Sequence, residues 1–175
     1  MSEIVILGVF VADTAYRADR QPRMGETILG RSFALGPGGK GSNQAVACAR
    51  AGGAVTIVTR LGQDTFGDMA MATWEKAGVV PEVERGGTAT GAAYIFLEEA
   101  TGNNAIIVCP GAAGEIDAAF VEARADLIGG ARVLVTQLEQ PMEAAMAALR
   151  IARDGGAATI LNPAPAADLP DGMLA

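Results

Sequence analysis

Along the chain, short β-branched apolar runs alternate with longer stretches in which small apolar residues recur at helical spacing. Glu3 to Phe10 has no polar alternation and predicts a strand buried on both faces. Ser42 to Ala51 predicts a helix of small residues closed by Gly52 and Gly53. Val55 to Thr59 predicts a second buried strand, and Phe66, Met69, Ala70, Trp74 and Ala77 then share one helical face ended by Gly78. Ile116, Ala119, Phe120, Ala123 and Leu127 form a further helical stripe. Val133 to Val135 predicts a third buried strand. Pro141 suits a first helical position, and Met142, Ala145, Met146, Leu149 and Ala152 supply the inward stripe after it. Thr159 to Leu161 predicts a last strand before the breaker-rich Asn162-Pro-Ala-Pro165. This alternation predicts an α/β fold: a doubly wound, mostly parallel sheet with helices on both faces.

Two regions break the rhythm. Thr27 to Leu35 and Thr90 to Cys109 alternate better, as strands with one exposed face do. The second holds two runs, Ala92 to Leu97 and Ala105 to Val108, joined by a turn through Gly102, Asn103 and Asn104. Together they predict a small antiparallel accessory sheet. At the other end, Leu169 to Ala175 reads as a helix just beginning, without a closing cap. Residues 1–175 are therefore expected to form one incomplete domain, a fragment of a longer chain.

Composition narrows the chemistry. The 175 residues carry 13 basic and 20 acidic side chains, a net charge of −7, which argues against a nucleic-acid partner. Histidine is absent, which removes His-based triads, His general bases and most transition-metal sites. Half the residues are hydrophobic, yet no run has the length of a membrane span, and the start lacks the basic region of a signal peptide. Cys48 and Cys109, both in apolar sequence, read as core residues, and a reducing, cytoplasmic setting is expected.

In open α/β sheets, ligands bind outside the carboxyl ends of the strands. Asp13, Asp64, Glu139 and Asn162 each follow a predicted strand. The glycine-dense segment Gly36 to Asn43 opens the first helix, where unpaired N–H groups and the Lys40 ammonium would meet a ligand. Acceptors at Asp13 and Glu139 facing donors at Lys40 and Asn43 suit a polyhydroxy ligand. Each residue also has a plain structural reading: Asp64 as a helix cap, Glu139 as a charge favouring the helix after Pro141, Asp13 as a turn residue, Asn162 as a pre-proline position. The loop is not a Walker A loop, because Gly41 rather than Ser or Thr follows Lys40. Gly36 to Gly41 does match G-x-G-x-x-G, and Arg60 lies where an NADP-type cation could sit, so an NADP-binding oxidoreductase is an alternative. Against it, the loop does not follow the first buried strand directly.

At these residues the chain resembles the ribokinase family of carbohydrate kinases. Gly38-Gly-Lys-Gly-Ser-Asn-Gln-Ala45 is the specific signature, with Pro22-Arg-Met-Gly-Glu-Thr27 upstream. Thr59-Arg-Leu-Gly-Gln-Asp64, Gln137-Leu-Glu139 and Asn162-Pro-Ala-Pro-Ala166 extend the likeness from about Ile4 to the last residue. The resemblance implies a doubly wound domain with a small β-sheet lid, here within about 14–35 and 88–109, which often clasps a second copy into a homodimer. It also implies transfer of the γ-phosphoryl of ATP to a small sugar, first of all D-ribose to ribose 5-phosphate, with Mg2+ and allowance for a monovalent cation. Another sugar or a nucleoside is the alternative acceptor.

Carried over position by position, the family's sugar contacts fall on Val11, Ala12 and Asp13, on the loop Gly39, Lys40, Gly41, Ser42 and Asn43, and on Glu139. One position departs: the family pattern has Asn where this chain has Val11, which leaves the sugar undetermined. The family's general base, anion hole, adenine pocket and metal site belong to motifs absent before Ala175. No catalytic base or metal ligand is therefore assigned here, and the chain alone is expected not to turn over ATP.

Overall fold

The computed structural model describes residues 3–174. Strand β1 (Ile4–Leu7) lies at the centre of a five-stranded sheet between β4 (Val55–Gly62) and β8 (Val133–Thr136). β5 (Val80–Gly86) and β9 (Ala158–Leu161) form the edges, and every pair is parallel. Alternate residues of β1 serve opposite faces. Ile6 packs with Val55, Ile57 and Trp74 under helices α1 (Lys40–Arg50) and α2 (Thr65–Ala77). Val5 and Leu7 pack with Val58 and Leu134 under α3 (Ala118–Glu122), α4 (Ala125–Gly129) and α5 (Met142–Asp154). Burial on both faces is why β1 and the first half of β4 lack polar alternation.

The stripe expected from Ile116 to Leu127 is not one helical face. Asp117 caps a five-residue α3, and α4 starts afresh at Ala125. Phe120, Val121 and Ile128 go inward while Ala119 and Ala123 are exposed. Strand β5 has no counterpart among the predicted elements. Pro81 and three charged residues hide it, and such a sequence is tolerated there because β5 pairs on one side only.

The second sheet has the order β3 (Ser32–Gly38), β2 (Val11–Ala18), β6 (Thr90–Glu98), β7 (Asn104–Gly111). Its outer pairs are antiparallel, but the central pair β2–β6 is parallel, unlike the all-antiparallel expectation. The reason is topological. β2 leaves the carboxyl end of β1 and β6 leaves that of β5, so both run outward from the same edge of the parallel sheet. Asp13 consequently lies inside strand β2 rather than in a turn. Cys48 packs against the α1–α2 core, whereas Cys109, expected in the core, is exposed on the edge strand β7.

Candidate functional site

The chain reverses its winding direction at β1: β4 and β5 build outward on one side, β8 and β9 on the other. A crevice at the carboxyl end of β1 follows from that topology, and the glycine loop fills its rim. Gly39, the residue before α1, has φ 87°. A Cβ there would lie 2.5 Å from the Val9 carbonyl oxygen, and one on Gly41 would lie 2.6 Å from Gly8 Cα. The first turn of α1 thus rests directly on the backbone that links β1 to β2, a contact that no side chain permits. Gly38 leaves room for the Asp13 carboxylate, which occupies the place of its missing Cβ.

Glu139 reaches this turn from the far side of the crevice. It accepts the Lys40 backbone N–H at 2.6 Å through Oε2 and the Lys40 ammonium at 3.0 Å through Oε1. Its charge therefore complements the N-terminus of α1, not that of α5. The turn that carries Glu139 is fixed from behind. Gln140 donates to Thr136 Oγ1 and to the Gln137 carbonyl, and Leu138 N–H donates to the Ala164 carbonyl. Asp13 is half-buried near this pair. Burial raises its pKa above the usual carboxylate value, Glu139 raises it further, and Lys40 only partly offsets them.

Two adjoining cavities share Val11, Lys40, Val108 and Glu139. One, of about 220 Å³, adds Asp13, Gly39, Asn43, Ala93, Ile95 and Ile106. The other, of about 250 Å³, adds Val9, Pro110, Leu138 and Pro165. Six of the nine residues singled out from the sequence as sugar contacts thus line the first cavity: Val11, Asp13, Gly39, Lys40, Asn43 and Glu139. Three do not face it. Ala12 packs in the core, Gly41 is closed against Gly8, and the Ser42 hydroxyl accepts the Trp74 indole N–H at 2.9 Å inside the protein. The apolar wall from β6 and β7 was missing from the sequence reading. The alternation of those strands gave the exposed face but not what it faces.

The remaining candidates are structural. Asp64 caps α2 through the Gly67 N–H and bridges to the Thr90 N–H. Burial works to raise its pKa, but these bonds outweigh it and hold the carboxyl below its ordinary value. Asn162 ties β9 to β8 through its backbone N–H on the Thr136 carbonyl. Arg60 pairs with Glu84 and donates to the Glu115 carbonyl, and the glycine loop follows β3 of the small sheet. An NADP phosphate site there loses both its cation and its strand–loop–helix setting. A further cavity of about 480 Å³ lies against the opposite face of β6 and β7, with Ala92 and Cys109 in its lining; the carboxylate in it is the Asp64 cap. Among the described residues no three Asp, Glu or Cys side chains converge. With Glu139 taken up by Lys40, the acidic groups at the crevice do not fit a protein-held divalent ion.

The sequence profile of the pfkB family carbohydrate kinases matches residues 1–174. Ribokinase of Schizosaccharomyces pombe is 41% identical over 99% of this chain and 57% of its own length. Mouse (Mus musculus) ribokinase is 36% identical over 95% of this chain and 52% of its own. The solved structure of Arabidopsis thaliana ribokinase complexed with ribose and ATP superposes with a TM-score of 0.84 at 26% identity, over 93% of this chain and 54% of that one. The chain thus spans about half the length of the curated relatives it matches.

Proposed function

The chain belongs to the pfkB family of carbohydrate kinases, and from that premise we propose that it forms the sugar-binding part of an ATP-dependent pentose kinase acting first on D-ribose. The observation that carries this reading is the convergence of Asp13, Asn43 and the Lys40–Glu139 pair on one small cavity at the winding reversal. A polyol needs acceptors for its hydroxyl protons and donors for its oxygens. Asp13 and Glu139 supply acceptors, Lys40 supplies donors, and the Asn43 amide supplies both. A related ribokinase solved with ribose and ATP supports the same pair of substrates here. When bound, Mg-ATP supplies the phosphoryl group and neutralises its charge.

The two carboxylates are engaged in this scheme, Glu139 by Lys40 and Asp13 by the sugar, so neither is free to deprotonate the attacking hydroxyl. The chain by itself binds the sugar without turnover. The protein is also a homodimer joined through the small sheet, whose face away from the cavity exposes Tyr16, Phe33, Leu35 and Ile107.

Isothermal titration of the 175-residue chain with D-ribose tests the site. Saturable one-to-one binding is expected, with Asp13→Asn and Asn43→Ala each weakening it about tenfold or more. Ribose heats unchanged by both substitutions would overturn the proposal. Ribose-dependent ADP release by this chain would overturn the assignment of its two carboxylates.

A further inference from the structure

The cavity that holds Asp13 and Asn43 takes its walls from two layers. Lys40, Asn43 and Glu139 stand on α1 and the turn after β8, whereas Asp13, Ala93, Ile95, Ile106 and Val108 stand on the small sheet. Whatever fixes one layer against the other therefore fixes the distances a ligand meets. At the start of β6 that contact is made by side chains outside the cavity. The Asp64 carboxylate accepts the Gly67 N–H at 2.8 Å through Oδ1 and the Thr90 N–H at 2.7 Å through Oδ2. Thr90 answers in the other direction, its Oγ1 accepting the Gly62 N–H at 2.9 Å. Gly62 ends β4, Gly67 lies in the first turn of α2, and the buried Thr90 opens β6, so three elements are tied at one point. Just beyond it, β6 and β7 cross so closely that a Cβ on Gly91 would lie 2.6 Å from the Pro110 carbonyl oxygen. A displacement at Thr90 is therefore carried into both strands, and Ala93 follows three residues on.

A helix cap needs only the bond to Gly67. The bond to Thr90 lies outside that role, and it lands on the strand that brings Ala93 and Ile95 to the cavity. Resting on the reading of this cavity as a sugar site, we infer that Asp64, acting through Thr90, is a positioning residue for the sugar. It does not line the cavity, but it holds β6 and β7 at the spacing from Lys40, Asn43 and Glu139 at which the sugar is gripped. Without the bridge, β6 spends only a fraction of its time in that position, and the apparent Kd rises by the inverse of that fraction. Loss of one such hydrogen bond corresponds to about fivefold.

Calorimetric titration with D-ribose, set beside urea titration of each chain, tests this. Asp64→Asn keeps an oxygen for the Gly67 N–H, so the cap persists, but it turns an NH2 donor toward the Thr90 N–H. Thr90→Val removes the acceptor of the Gly62 N–H at nearly constant shape, and Thr90→Ser keeps it. Gly78→Ala strains the left-handed stop at the other end of α2, φ 79°, and serves as a chain destabilised away from β6. Asp64→Asn and Thr90→Val are expected to weaken ribose binding about fivefold in buffer, where both are folded. Thr90→Ser and Gly78→Ala are expected to bind ribose as the wild-type chain does, the latter despite a lower urea midpoint. Should Asp64→Asn not fold, Thr90→Val against Thr90→Ser carries the test. A folded Asp64→Asn or Thr90→Val chain with wild-type affinity overturns the inference and leaves the sugar-site reading standing. Equal weakening by Gly78→Ala also overturns it, because stability alone would then account for the loss. A wild-type chain that binds no ribose overturns both readings together.

Discussion

Asp13 and Glu139 are two carboxylates at one cavity with opposite circumstances. Glu139 is neutralised by the Lys40 ammonium and by the first N–H of α1. Asp13 makes no salt bridge among the described residues, and burial and the charge of Glu139 raise its pKa from 3.8. A carboxyl with a raised folded value is less willing to ionise in the folded chain than in the unfolded one. At neutral pH its charge therefore destabilises the fold, and that penalty fades as pH falls through the raised value toward 3.8. Asp13→Asn should accordingly raise Tm at neutral pH, converge with the wild-type chain in acid, and bind ribose about tenfold or more weakly at neutral pH. Thermal melts over this pH range check it, and a lower neutral-pH Tm for the variant would contradict it. A carboxylate that costs stability in this way is what the proposed sugar contact at Asp13 calls for.

The start of α1 shows what kind of element makes the site. Gly41 has no room for a side chain because Gly8 Cα lies 2.6 Å from where its Cβ would be. Gly36, in the same glycine-rich segment, would place a Cβ in open space. Gly41→Ala should therefore destabilise by about 1–3 kcal/mol, as overpacked sites do, while Gly36→Ala changes stability by no more than about 0.5 kcal/mol. Urea titrations of the two variants make the comparison, and equal effects would show that the close approach does not matter. Local signals of this kind were legible in the sequence: the glycine loop, the Asp64 cap, the Gly78 stop with φ 79° and the buried run of β1. What escaped was set by distant partners. Ser42 looks like its loop neighbours until Trp74, 32 positions on, takes its hydroxyl. β5 becomes a strand only because β4 offers an edge, and the parallel β2–β6 pair depends on where β1 and β5 end.

At the scale of the whole molecule, the small sheet presents two different faces. Strand alternation sends Val11, Asp13, Ala93, Ile95, Ile106 and Val108 toward the cavity. It sends Tyr16, Phe33, Tyr94 and Ile107 the other way, with the Tyr16 ring 5.0 Å from Phe33 and 5.5 Å from Tyr94. Aromatic rings gathered on a solvent face form an apolar patch, and aromatic anchors dominate the energy of protein interfaces. On the proposed homodimer reading, a second copy of the same sheet would cover this patch. Phe33→Asp places a carboxylate among the rings while leaving the cavity face untouched. Sedimentation equilibrium should show dimers for the wild-type chain and monomers for the variant, with ribose affinity essentially unchanged in the calorimeter. If both chains sediment as monomers, the patch has no role in self-association. Loss of ribose binding together with the dimer would instead mean that the two faces are not independent.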